Sequence, residues 1–150
     1  METNIAHNTA SVSGGGIYAY QSELNFKESC YIKGNRALQK GGGIYAVSTT
    51  TRFIKGSLHF IQNKAERGGG VCLELNAKLY VVKSEGECHN PLCNTNLNMW
   101  LTLYFTGNSA KYEGAVYVTD EQTLVHAVQC VMLNSPQQVN VFFKSWHCIR

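Results

Sequence analysis

The stretch NRALQKGGGIYAV (Asn35–Val47) decides the fold of this 150-residue chain. Three consecutive glycines suit neither helix nor strand, because each has more backbone freedom to lose on folding than any other residue. Yet the triplet recurs in phase. Gly14–Gly16, Gly41–Gly43 and Gly68–Gly70 stand 27 residues apart, and Ile-Tyr or Val-Cys follows each of them. So unfavourable a tripeptide, kept at a fixed interval, reads as a device used once per structural repeat.

Four units align around it: IAHNTASVSGGGIYA from Ile5, IKGNRALQKGGGIYA from Ile32, FIQNKAERGGGVCL from Phe60 and FTGNSAKYEGAVYV from Phe105. Each opens on a large apolar residue, places Asn three positions later (Asn8, Asn35, Asn63, Asn108) and Ala two beyond that. In the last unit Glu113-Gly114-Ala115 stands in the triplet's place. The step from Asn63 to Asn108 is 45 residues, the ordinary period plus an insertion around residues 84–96. The marks that build the repeat are thus the four asparagines with Gly15, Gly16, Gly42, Gly43, Gly69, Gly70 and Gly114.

Within each unit the apolar residues alternate as they do in strands. Leu58 and Phe60 share one face, as do Leu101, Leu103 and Phe105. After the glycines, Ile17 with Ala19, Ile44 with Ala46, Val71 with Leu73 and Val116 with Val118 form an all-apolar set that belongs inside. The opposite face is mixed, with Tyr20, Val47, Glu74 and Thr119. Short strands and Gly/Asn corners at this period predict an all-β, right-handed parallel β-helix of about four to five coils. Equivalent residues then stack roughly 4.8 Å apart. Asn is expected to take the left-handed backbone region at a corner, its amide bonding its own backbone or the Asn of the next coil. The glycines let the chain bend and let coils approach. A leucine-rich repeat has a period of roughly 20–29 residues, but its Leu-x-x-Leu-x-Leu pattern is absent.

Composition limits function. Apolar content is 44%, charged content 15% and net charge +3, with Lys and Arg scattered; a nucleic-acid partner has no electrostatic footprint. Arg36 and Lys64, in phase after the repeated Asn, read as a solvated turn. No run reaches the ~18 apolar residues of a membrane-spanning helix, and METNIAHNTA is no secretory signal. Six cysteines in an even count fit an oxidising compartment. The chain therefore reads as one β-helix domain over 1–150, a fragment of a longer solenoid whose neighbouring coils would lie on a parent chain. Strand edges left open at its ends would invite association with another chain.

The marks Phe60-x-x-Asn63 and Phe105-x-x-Asn108, with Gly68-Gly69-Gly70-Val71 and Gly114-Ala115-Val116, resemble the repeats of the polymorphic outer-membrane proteins of chlamydiae. Similar repeats occur in right-handed β-helix surface proteins of other bacteria and of invertebrates. The resemblance covers Ile5 to Val118 and implies an exposed surface module with roles in adhesion and structural display. Ile5 and Ile32 stand where that family prefers Phe, and Gly-Gly-Gly replaces Gly-Gly-Ala in three units.

The chemical readings are thinner. A polysaccharide lyase or hydrolase, the rival function, needs paired carboxylates across stacked coils. Asp120 is the single aspartate, and only Glu85 and Glu87 stand close together. Cys88, His89 and Cys93 lack the second half of a zinc site, so a Cys88–Cys93 disulfide is the better reading of the insertion. No cofactor or metal is expected, and the glycine triplets lack the Lys-Ser/Thr and helix of a phosphate loop. No Asn-x-Ser/Thr acceptor is present. The outward residues Tyr18, Tyr45, Cys72 and Tyr117 stack as a column whose better reading is packing between coils that stiffens the sheet; its alternative makes Tyr18, Tyr45 and Tyr117 the candidate binding residues for glycans or cell-surface proteins. Residues 119–150 read as an irregular final coil or cap; Thr119–Pro136 has both helical and strand character, with continuity favouring strand. A truncated product without a function of its own is the third reading.

Overall fold

The computed structural model describes residues 2–54, 56–81, 102–118, 124–127 and 129–133. The described residues wind in coils of four short strands. The first coil holds β1 (Thr3–Ala6), β2 (Thr9–Ala10), β3 (Ile17–Tyr20) and β4 (Glu23–Phe26). The second holds β5 (Cys30–Lys33), β6 (Arg36–Ala37), β7 (Ile44–Val47) and β8 (Thr50–Phe53). In the third come β9 (Ser57–Ile61), β10 (Lys64–Arg67), β11 (Val71–Glu74) and β12 (Lys78–Val81). The fourth has β13 (Thr102–Thr106), β14 (Ser109–Glu113), β15 (Val116–Val118) and β16 (Leu124–Ala127), and β17 (Gln129–Leu133) follows.

Equivalent strands of successive coils pair in parallel. They form four sheets ordered β1-β5-β9-β13-β17, β2-β6-β10-β14, β3-β7-β11-β15 and β4-β8-β12-β16. The architecture is a parallel β-helix. Of the run with double character, Leu124–Ala127 and Gln129–Leu133 are strands. The fourth sheet was not apparent in the repeat, whose marks end before it.

Apolar residues on the repeat interval stack inside. Ile32 pairs with Phe60 and Phe60 with Phe105, all fully buried, and the two phenyl rings lie 4.9 Å apart and 7° from parallel. Ile44, Val71 and Val116 form a second buried column, and Ala46, Leu73 and Val118 a third. In the fourth sheet Phe26 meets Phe53 at 6.4 Å. Beside them Thr51 sits between Leu24 and Leu79, buried, and its hydroxyl finds no hydrogen-bond partner.

The asparagines do more than turn a corner. Asn35 accepts, on Oδ1, both the backbone N–H and the side-chain amide of Asn8, each at 3.0 Å. Asn63 accepts the same pair from Asn35, and Asn108 the same pair from Asn63, at 2.9–3.0 Å. Each of Asn35, Asn63 and Asn108 also donates from Nδ2 to the carbonyl of the residue three positions before the previous Asn: Ile5, Ile32 and Phe60. All three are buried. The left-handed residue at this corner is not the Asn, as expected from sequence, but the one before it: His7 (φ 58°), Gly34 (64°), Gln62 (53°) and Gly107 (61°). An extended Asn is what aims its amide along the coil axis into the next rung.

At the next corner the first glycine of each triplet is left-handed: Gly14, Gly41 and Gly68, with φ of 71°, 61° and 57°. The second is pressed between coils. A Cβ on Gly42 would strike the carbonyl of Gly69 and the backbone of Lys64. The fourth coil departs from the alignment read in sequence, where Glu113 replaced the first glycine. Arg67 pairs with Glu113, through a shift of register after Ala65 and Ala110. Strand β14 therefore carries one more residue than β10, and the corner that follows one residue fewer.

Cys30 and Cys72 are both buried. Cys30 lies inside the coil, where burial pushes its thiol up to about 11. The insertion with Cys88 and Cys93, and the tail from residue 134, lie outside the described residues. Among those described, no helix is long and apolar enough to cross a membrane.

Asn63→Ala strands the buried donors of Asn35 and the carbonyl of Ile32, and should cost about 3–5 kcal/mol in urea unfolding. At the exposed end of the same ladder, Asn8→Ala should cost less than about 1 kcal/mol. Thr51→Val keeps the shape and removes an unsatisfied hydroxyl, and should stabilise by about 1 kcal/mol.

Candidate functional site

Identical stacking inside imposes columns outside. On the β3-β7-β11-β15 sheet, Tyr18 stands in register with Tyr45, Tyr45 with Cys72 and Cys72 with Tyr117. The structure brings the first two together: the rings of Tyr18 and Tyr45 lie 5.5 Å apart at 42°. Cys72, fully buried, separates them from Tyr117, over which the Arg67 guanidinium sits at 5.8 Å. The candidate column is thus a tyrosine pair on the first two coils and a third tyrosine apart from it.

Two residues along the same face, Tyr20, Val47 and Glu74 form a parallel column. Glu74 is the hub of this surface. It accepts the Tyr45 hydroxyl on Oε2 at 2.6 Å and an ion pair from Lys40 Nζ on Oε1 at 2.7 Å, and the Cys72 thiol points at Oε1 from 3.8 Å. Its side chain is 10% exposed, against 64% for Glu23 paired with Arg52 and 44% for Glu66 near Lys111. The latter two are surface pairs of little energetic weight. Burial, and then the hydrogen bond to Glu74, holds the Tyr45 hydroxyl well above the usual phenol range, so it stays protonated and donating. Lys40 also lies 5.7 Å over the Tyr45 ring. Sequence reading had placed Glu74 in a mixed outer set without a partner. The signal was its position one period plus two residues after Tyr45, diagonally across adjacent strands.

A second outer feature escaped the sequence reading. On the β1-β5-β9-β13-β17 sheet Tyr31, His59 and Tyr104 stack with centroids 4.5 Å apart and planes 9° and 3° from parallel. The Ser57 hydroxyl lies 2.8 Å from His59 Nε2. Each member stands four residues before a repeat Asn, the offset that would have revealed the stack. Desolvation between the rings lowers the His59 pKa below 6.5, and Glu2 opposes the shift in part.

The asparagines and glycines of the repeat line the interior and the coil contacts, where they hold the fold. Glu23, Glu66 and Glu74 each face a cation. Among the described residues no group of three or more His, Cys, Asp or Glu is disposed to hold a metal. Glu85, Glu87 and the Cys88–His89–Cys93 group lie outside those residues.

Compared with known proteins, residues 29–47 match the Chlamydia polymorphic membrane protein repeat. The matched segment spans β5, Asn35, the glycine triplet and β7, the part of one coil that carries the asparagine rung and the inward Ile44. No curated protein and no solved structure matches the chain. The chain is a parallel β-helix that resembles these repeats.

Because the folded state holds His59 neutral, protonation favours the unfolded chain. Stability is fully present above the ordinary pKa of about 6.5 and is lost as pH falls below it. Melting temperatures at pH 7.5 and 5.0 should differ more for the wild type than for His59→Phe, which keeps the stack and removes the titration.

Proposed function

We propose that this chain is a non-enzymatic β-solenoid module of a cell surface or extracellular protein, serving adhesion or structural display. The match of residues 29–47 to the polymorphic membrane protein repeat carries this reading. The geometry supports it. Four parallel sheets stack coil on coil, with one shift of register between β10 and β14, and such a body presents broad, regular outer faces. Those faces carry low charge and several exposed apolar residues, among them Val12, Tyr18, Tyr20, Leu38 and Tyr112. Its partners are cell-surface proteins or glycans, and further coils of the same type would extend it end to end.

Antibodies raised against the chain should label intact cells of its source organism, and protease treatment of those cells should remove the label. Beads coated with the purified chain should adhere to target cells and be displaced by soluble chain. Labelling that appears only after permeabilisation would refute the surface reading.

A further inference from the structure

Beside the corner that leads into β3 and β7, the first two coils form an open groove of about 400 Å³. It is lined by Val12, Ser13, Tyr18, Gln39, Lys40 and Tyr45. We propose that this groove is a binding site for a neutral oligosaccharide. The inference rests on the surface-module reading and names the class of ligand the module would take.

A sugar ring is amphipathic. Its C–H face packs on an aromatic ring, and its hydroxyl rim needs short polar groups nearby. The groove offers both. Tyr18 is 58% exposed, and its ring meets that of Tyr45 at 42°, giving two aromatic surfaces set at an angle. Ser13, Gln39 and Lys40 contribute a hydroxyl, an amide and an ammonium beside those rings.

The arrangement is built before a ligand arrives. Buried Glu74 takes the Tyr45 hydroxyl at 2.6 Å and the Lys40 ammonium at 2.7 Å, so one carboxylate fixes both a ring and a donor. Side chains already fixed lose little entropy on binding. The same ion pair sets the charge preference. Lys40 is the single charged residue of the lining, and Glu74 neutralises it, which favours a neutral saccharide over an acidic one. Tyr20, two residues on along the same outer face, is also exposed and extends the aromatic surface beyond the groove. A tyrosine in register at Tyr117 has neither this lining nor the Glu74 tether; Arg67 stands over its ring instead.

Saturation-transfer NMR on the full chain with cellotriose, chitotriose and trigalacturonate tests the site. Transfer should reach the ring C–H protons of a neutral trisaccharide and be weaker for trigalacturonate. Tyr18→Ala should weaken binding about tenfold or more, the cost of truncating a central aromatic contact. Gln39→Ala should weaken it less, and Tyr117→Ala should leave it unchanged, with far-ultraviolet circular dichroism confirming that each variant is folded. Absence of transfer to both neutral trisaccharides, a preference for trigalacturonate, or undiminished binding by folded Tyr18→Ala and Gln39→Ala would overturn the proposal. A chain that labels intact cells yet binds neither neutral trisaccharide removes this site alone. One that binds them but never reaches a cell surface removes the surface reading and leaves the groove.

Discussion

The structure depends on a column of amides in its interior. A buried carboxamide is costly unless its donors and acceptor are all engaged, and here one oxygen serves two donors of the preceding coil. Every rung also ties Nδ2 to a main-chain carbonyl. Such a column specifies as well as stabilises. Sliding one coil by a single residue would leave the Asn35 and Asn63 groups without partners in a dry interior, while apolar stacks alone tolerate some slippage. The Ile32–Phe60–Phe105 column supplies contact area, and the amides supply the register.

Once register is fixed inside, it is fixed outside as well, because alternate residues of a strand point to opposite faces. Tyr31, His59 and Tyr104 lie in near-parallel stack for the same reason that Ile32, Phe60 and Phe105 do, one residue further on. The Glu74 hub arises similarly. Its strand is aligned with that of Tyr45, and a two-residue offset brings carboxylate and phenol within 2.6 Å. The outer surface is thus an image of the repeat, altered wherever one coil substitutes a different residue.

Much of this was legible in the sequence, and what was not has physical causes. The glycine triplets and the Asn spacing exposed the period, since backbone-to-backbone contact and buried amides allow few substitutes. The inward Ile/Val positions followed by alternation. The fourth sheet stayed hidden because its inward positions, Leu24, Thr51 and Leu79, include a polar residue and share no mark. The backbone of the asparagines was misread because the left-handed position accepts His7, Gly34, Gln62 and Gly107 alike, so composition says nothing there. Glu74 could not be recognised as a hub from its own strand: Lys40 lies at a corner and Tyr45 on a neighbouring strand, and only folding joins them.

The fourth coil shows how such a chain absorbs a local shift of register. Strand β14 gains a residue relative to β10, the following corner loses one, and Val71 still meets Val116. The register also holds between β9 and β13, which lie either side of the longer insertion: Leu58 meets Leu103 and Asn63 meets Asn108. Each asparagine rung and each glycine corner resets the phase, so an error in one segment is cancelled before the next sheet begins. Such a chain can add residues between these fixed points without rebuilding its core, and the connection after the fourth sheet, three residues long after β4 and β8 and 20 after β12, is where this one has done so.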